Sequence, residues 1–278
     1  MTSIITLDRL RPALVPAGFL ALALLTGWLL AGLLPLGQAA DEAAHAIRVD
    51  ALSHGQILGH REGLFGGFTT PPTFAEVAYV TPEGHVQTHA ERDAALAVRW
   101  DKPAHFIELG TIATYFPAVY LPAAVTVAAA RRFRATPAQA FLAGRRANVL
   151  VFGLLGTAAL AVARRGRPLI AAALLLPMSL GLAASLSGDG VLIGIAALAA
   201  ACVTRGGGWG WWGATGCVTL IGMTKLPYAP LLLMAAWPVL LLRPPLPVRL
   251  AAVALAAGLM LGWTAYNQAK VMGTVAWP

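Results

Sequence analysis

Apolar runs close to the ~20 residues that a helix needs to cross a bilayer recur along this 278-residue chain. They constrain its fold more than any other feature. With 58% hydrophobic and only 12% charged residues, the chain reads as a polytopic all-α integral membrane protein. The runs place spans at 14–36, 138–163, 168–186, 190–204, 209–224, 228–242 and 250–266, seven in all. A further stretch, 111–130, is interrupted by Pro117 and Pro122, which remove backbone hydrogen bonds from a helix interior. It either crosses or lies in the interface, and the distribution of Lys and Arg tilts only slightly toward crossing.

The polar chemistry is concentrated in one loop. Ten of the twelve acidic residues and all six histidines fall between residues 41 and 108. The net charge of +8 comes from short basic clusters beside apolar spans, such as Arg131/Arg132/Arg134 and Arg164/Arg165/Arg167. Such clusters set membrane topology and touch lipid phosphates, and they do not form a nucleic-acid surface. Cys202 and Cys217 both lie in apolar segments, so they imply neither a disulfide framework nor a metal site. Arg9 and Arg11 precede an apolar run too long for a signal-peptide core, which reads as a retained anchor with its amino terminus inside.

The first span runs straight into Asp41-Glu42-Ala43-Ala44-His45, with Arg48 following. On a helix over these residues Asp41, His45 and Arg48 share one face and Glu42 sits about a quarter turn away. One reading is a general base with supporting groups beside a membrane-embedded substrate. The other is helix capping, because negative charge is favoured at a helix amino terminus. Glu42 and His45 also form an E-x-x-H pair, but a di-iron bundle needs a second copy and the chain has none. His85 and His89 stand in loop-like sequence, so no metal or cofactor is expected.

Three other ionisable positions adjoin spans. Asp189, in Ser187-Gly188-Asp189-Gly190, is a helix start signal or a site residue. Arg145 and Arg146, near the start of a long apolar helix, either grip a phosphate with paired hydrogen bonds or snorkel to the interface. Lys225, in Met223-Thr224-Lys225-Leu226-Pro227-Tyr228, has the same two readings.

In sequence order, the Asp41–Arg48 cluster, Tyr115-Phe116-Pro117-Ala118-Val119-Tyr120-Leu121-Pro122 and Gly144-Arg145-Arg146-Ala147-Asn148 resemble a bacterial membrane-protein family, domain of unknown function 2142. Leu176-Pro177-Met178-Ser179, Ala184-Ser185-Leu186-Ser187-Gly188-Asp189 and Lys225-Leu226-Pro227-Tyr228-Ala229-Pro230-Leu231 are similar to its further signatures. Ala40 stands where that family has a proline. The family in turn resembles the amino-terminal module of the GT-C glycosyltransferases, integral-membrane enzymes that use a sugar on polyprenyl phosphate.

The resemblance implies a single membrane domain over 1–278. Its extracytoplasmic loop, 37–136, would carry surface helices at 41–57 and 111–131, followed by six spans over 138–266 and an outer tail at 267–278. The fold would be GT-C-like, in the bacterial cytoplasmic membrane. Asp41 would be the catalytic base with Glu42 its neighbour or substitute, supported by His45, Arg48 and Asp189. Arg145, Arg146 and Lys225 would bind the lipid phosphate. The partners implied are a polyprenyl-phosphate sugar donor, a cell-envelope glycan or lipid acceptor, and membrane lipids. The alternative is a non-catalytic transporter or accessory subunit using the same charges for binding.

Overall fold

The computed structural model describes residues 7–82, 85–233 and 244–272. Four of its helices are long and apolar enough to cross a membrane: Leu14–Leu33, Pro137–Val162, Gly188–Arg205 and Leu246–Lys270. They belong to α1 (Leu7–Leu33), α6 (Pro137–Val162), α9 (Gly188–Arg205) and α11 (Leu246–Lys270). Between them lie α7 (Arg167–Leu174), α8 (Pro177–Ala183) and α10 (Gly207–Thr224).

Seven unbroken spans are therefore not what the described residues form. The run expected at 168–186 divides at Pro177, which starts α8. Proline has no N–H to continue the preceding helix and pushes the residue before it out of the helical region, and Leu176 is accordingly extended at ψ 141. α10 covers the run expected at 209–224, but it is not one of the four sufficiently apolar helices. The run expected at 228–242 begins inside a 3₁₀ turn, Leu226–Leu231, and its residues 234–242 lie outside those described.

Close approaches fix the helix directions. A Cβ on Gly27 would meet Val149, and one on Gly156 would meet Phe19, so α1 and α6 run antiparallel. Gly144 faces Leu186, just before α9, and Gly194 faces Leu155. α6 and α9 therefore run in the same direction, and α7 and α8 carry the chain back along them. Gly222 abuts Met260 while Trp211 packs on Ala252 and Val253, which makes α10 and α11 parallel as well. The start of α9 and the ends of α1, α10 and α11 all meet at one end of the bundle.

That end is covered by the large loop, which folds as a layer: α2 (Glu42–Ser53), α3 (Thr73–Ala78), α4 (His89–Ala97) and α5 (Leu121–Arg132). The layer also contains an antiparallel sheet in the order β1 (His60–Glu62), β2 (Phe65–Thr70), β3 (His105–Glu108), which corrects the expectation of an all-α chain. Glu62 pairs with Phe65 across a two-residue turn, and Gly63 supplies the φ of +63° that such hairpin turns require. β2 reads Phe-Gly-Gly-Phe-Thr-Thr, too short and glycine-rich to announce itself as a strand.

α5 has 12 residues and so is about 18 Å long, well short of the ~30 Å hydrocarbon core. Two 3₁₀ turns, Gly110–Thr114 and Pro117–Tyr120, occupy the residues before it. The 111–131 segment therefore does not cross as one α-helix. Val49 and Leu52 of α2, Phe74 of α3 and Val127 of α5 share a buried cluster with Phe141 of α6 and Ile195 of α9. The layer is thus fused to the bundle through its apolar side.

Gly210 tests this close packing where α10 meets α9, since a Cβ there would lie 2.5 Å from the Cys202 carbonyl oxygen. Backbone cannot move aside as a side-chain tip can, so Gly210→Val is expected to cost about 1–3 kcal/mol. Gly18→Ala, with nothing within 4 Å, should leave stability unchanged. Thermal unfolding of the detergent-solubilised protein measures both.

Candidate functional site

Asp41 turns the chain from the exit of α1 into α2 with φ 55° and ψ 10°, a left-handed conformation that aspartate tolerates better than most residues. Its side chain makes no capping bond, and it is exposed.

Glu42, one residue on, is completely buried. Its Oε1 accepts from Arg145 Nε at 2.7 Å and from the Leu186 N–H at 2.9 Å. Its Oε2 accepts from Arg145 Nη2 at 2.5 Å and from the Gly37 and Ala39 N–H groups at 3.2 and 3.4 Å. Arg145, equally buried, gives its remaining protons to the carbonyls of Ala31 (3.0 Å), Leu34 (2.7 Å) and Pro35 (2.8 Å). A guanidinium has five N–H donors, and all five are used here. Arg145 therefore has nothing left to grip a phosphate. Glu42 has no accessible oxygen with which to act as a base. Both are structural, and the roles the sequence suggested for them are corrected accordingly.

His45 is buried, with Nδ1 2.7 Å from the Tyr120 hydroxyl and its ring 6.2 Å from that of Tyr115. Burial lowers its pKa, Asp189 opposes that shift and Lys225 adds to it. Arg48 does not reach toward Asp41. It donates to the carbonyls of Gln56 and Ile57 at 3.1 and 2.8 Å and lies 4.4 Å over the Phe68 ring, tying the sheet to α2. Burial brings its pKa down to about 10, which leaves it a cation at neutral pH.

Asp189, in the first turn of α9, pairs with Lys225 Nζ at 2.8 and 3.0 Å. Both side chains keep roughly a quarter of their surface, at 28% and 24% exposed. Lys225 Nζ sits 5.3 Å from the Tyr115 ring centre. Burial works against its charge, but the hydrogen bond and attraction of Asp189 outweigh it and hold the pKa above its ordinary value. A cavity of 340 Å³ opens beside this pair, lined by Lys225, Tyr115, Trp263 and Asn267. Asp41 lines a separate recess of 100 Å³ with Gln38, Tyr79 and Thr81. Arg146 is set apart from this cluster, 5.9 Å from the Trp28 ring of α1.

The structure thus brings His45, Tyr115, Tyr120, Asp189 and Lys225 together, with Asp41 near enough to bear on the charge of His45. Among the described residues no three His, Cys, Asp or Glu side chains form a metal-binding group. Tyr120 was not singled out from the sequence, because an aromatic in an apolar stretch reads as core. The pairing of Glu42 with Arg145 spans 103 positions, and only the rule that buried charges need partners points to it.

A family model described as a predicted membrane protein, DUF2142, matches residues 24–275. The chain belongs to the DUF2142 family. No curated protein and no solved structure matches it. The matched range of this DUF2142 chain contains Asp41, Glu42, Arg145, Asp189 and Lys225.

Removing one partner of a buried pair leaves an uncompensated charge. Arg145→Met should therefore cost about 3–5 kcal/mol, with Glu42→Gln restoring part of the loss in the double variant; thermal unfolding of the four proteins of the cycle measures this.

A second test concerns Asp50, fully buried in α2, with Oδ2 unpaired and Oδ1 3.9 Å from Arg131. Burial raises its pKa from 3.8 to about 7, against Arg131 and Ser53. The folded state then keeps a proton that the unfolded chain releases, so this contribution to stability is full below pH 3.8 and is lost as pH rises to about 7. Wild type should lose melting temperature across that window relative to Asp50→Asn, and parallel profiles would refute the assignment.

Proposed function

We propose that the chain is a GT-C-type inverting glycosyltransferase, moving a sugar from a polyprenyl-phosphate carrier to a cell-envelope glycan or lipid at the outer face of the bacterial cytoplasmic membrane. With the amino terminus inside, the first span leads out to the loop layer, which faces outside. The observation that carries this reading is the contrast between adjacent carboxylates. Glu42 is locked into the fold by Arg145, while Asp41 is exposed and uncapped at the exit of the first span.

In this mechanism Asp41 takes the proton of an acceptor hydroxyl as its oxygen bonds to the anomeric carbon. The bond from that carbon to the carrier phosphate breaks on the opposite side, inverting the configuration. Polyprenyl phosphate leaves with the electron pair. Its growing charge needs a cation, and with Arg145 saturated that task falls to Lys225, whose ammonium faces the cavity beside Tyr115. Asp189 holds Lys225 in place until the phosphate competes for it. Arg146, beside Trp28, meets lipid headgroups instead.

Membranes containing the protein, given a panel of polyprenyl-phosphate-linked sugars, test the reading. Asp41→Asn should lower transfer by about 10²–10⁴-fold with an unchanged melting temperature, and Lys225→Met should lower it as well. Transfer that survives Asp41→Asn overturns the proposal. Carrier binding without any transfer by the wild type supports the non-catalytic reading.

A further inference from the structure

One sizeable cavity plays no part in that mechanism. It has a volume of 810 Å³ and lies between the last turn of α1, the first turns of α6, and α4. Its floor is apolar, formed by Gly32, Leu33, Ala138 and Leu142, and its rim carries His89 and Arg92. Among the described residues no carboxylate lines it. Glu91, next to Arg92 in sequence, is turned back to accept from the Thr88 N–H at 2.8 Å in a capping box.

The cavity continues a lipid-facing surface. Leu22, Leu25, Leu29 and Leu33 are 45, 61, 55 and 76% exposed, and spacings of three and four residues put them on one face of α1. This stripe covers eleven residues of rise, about 16 Å, and ends at Leu33 inside the cavity. An acyl chain laid along it brings its headgroup to α4. There a guanidinium binds phosphate oxygens with paired hydrogen bonds, and an imidazole adds a donor.

We infer that this cavity seats an anionic phospholipid of the surrounding bilayer, with one acyl chain on the leucine stripe of α1 and its phosphate on Arg92 and His89. The site shares no lining residue with the cavity at Lys225, so the lipid is distinct from any carrier held there. Nor does the inference depend on the glycosyltransferase reading. The lipid fastens α4 to the first span.

The full chain, reconstituted in nanodiscs of equal phosphatidylglycerol and phosphatidylcholine and then released into mild detergent, tests this by native mass spectrometry. Wild type should retain one phosphatidylglycerol in preference to phosphatidylcholine. Arg92→Gln should reduce that preference about fivefold. Gly32→Trp, at a position where an added Cβ meets nothing within 4 Å, should fill the cavity and abolish retention with an unchanged melting temperature. Equal retention of the two lipids, or a preference that survives both variants, overturns the inference. Displacement of the retained lipid by an equal amount of polyprenyl phosphate also overturns it, assigning the site to a carrier.

Discussion

The ion pair of Glu42 and Arg145 is the interaction on which the rest of this structure depends. Two charges with no solvent exposure survive in a protein interior only when every lone pair and proton is satisfied, and here the satisfaction is complete. The partners come from four places: the carbonyls of Ala31 in the last turn of α1 and of Leu34 and Pro35 just past it, the turn into α2, the ninth residue of α6, and the Leu186 amide just before α9. The orphan carbonyls of a helix C-terminus thus become ligands of a cation, and the end of the first span is joined to the loop layer and to two later helices. The pair also sets the exposure of its neighbour. Glu42 opens α2 pointing inward, while Asp41, in the left-handed turn before it at φ 55°, faces out.

The antiparallel pairing of α9 with α10, marked by the approach of Gly210 to the Cys202 carbonyl near the turn between them, decides which loops meet. Had the two helices run parallel, Asp189 and Lys225 would sit at opposite ends of the bundle. Instead the first turn of α9 and the last residue after α10 come together at the end that carries α2, and their side chains touch. Close contacts at Gly144, Gly194 and Gly222 permit this stacking. The charge cluster is therefore a consequence of helix direction.

Much of this was legible in the sequence, and the failures have physical causes. Long apolar runs announced α1, α6, α9 and α11 because the bilayer demands length and apolarity together. The polar outliers Asp41, Asp189 and Lys225 stood out against an apolar background. Pro177 showed its effect only in three dimensions, because hydropathy counts a proline-broken run as continuous. The sheet was invisible because its longest strand holds two adjacent glycines and is held by pairing partners distant in sequence, Gly67 with Glu108 among them. The roles of Glu42 and Arg145 were misjudged for a related reason. Spacing along one helix describes neighbours within that helix, whereas each of these residues is explained by a partner more than a hundred positions away.

On the proposed reading, with Arg145 saturated, the cation that meets the carrier phosphate is Lys225, and Lys225 is already paired with Asp189. Any anion entering the neighbouring cavity must therefore compete with the Asp189 carboxylate at 2.8 Å. A monoanion offers the ammonium little that Asp189 does not. The intact donor is a phosphodiester with one charge, whereas the polyprenyl phosphate that leaves brings up to two charges and three free oxygens to a half-buried ammonium where electrostatic attraction is less screened than in bulk water. The pair thus discriminates by charge without excluding on size. A displaced Asp189 is left close to His45, whose pKa it already pulls upward against burial.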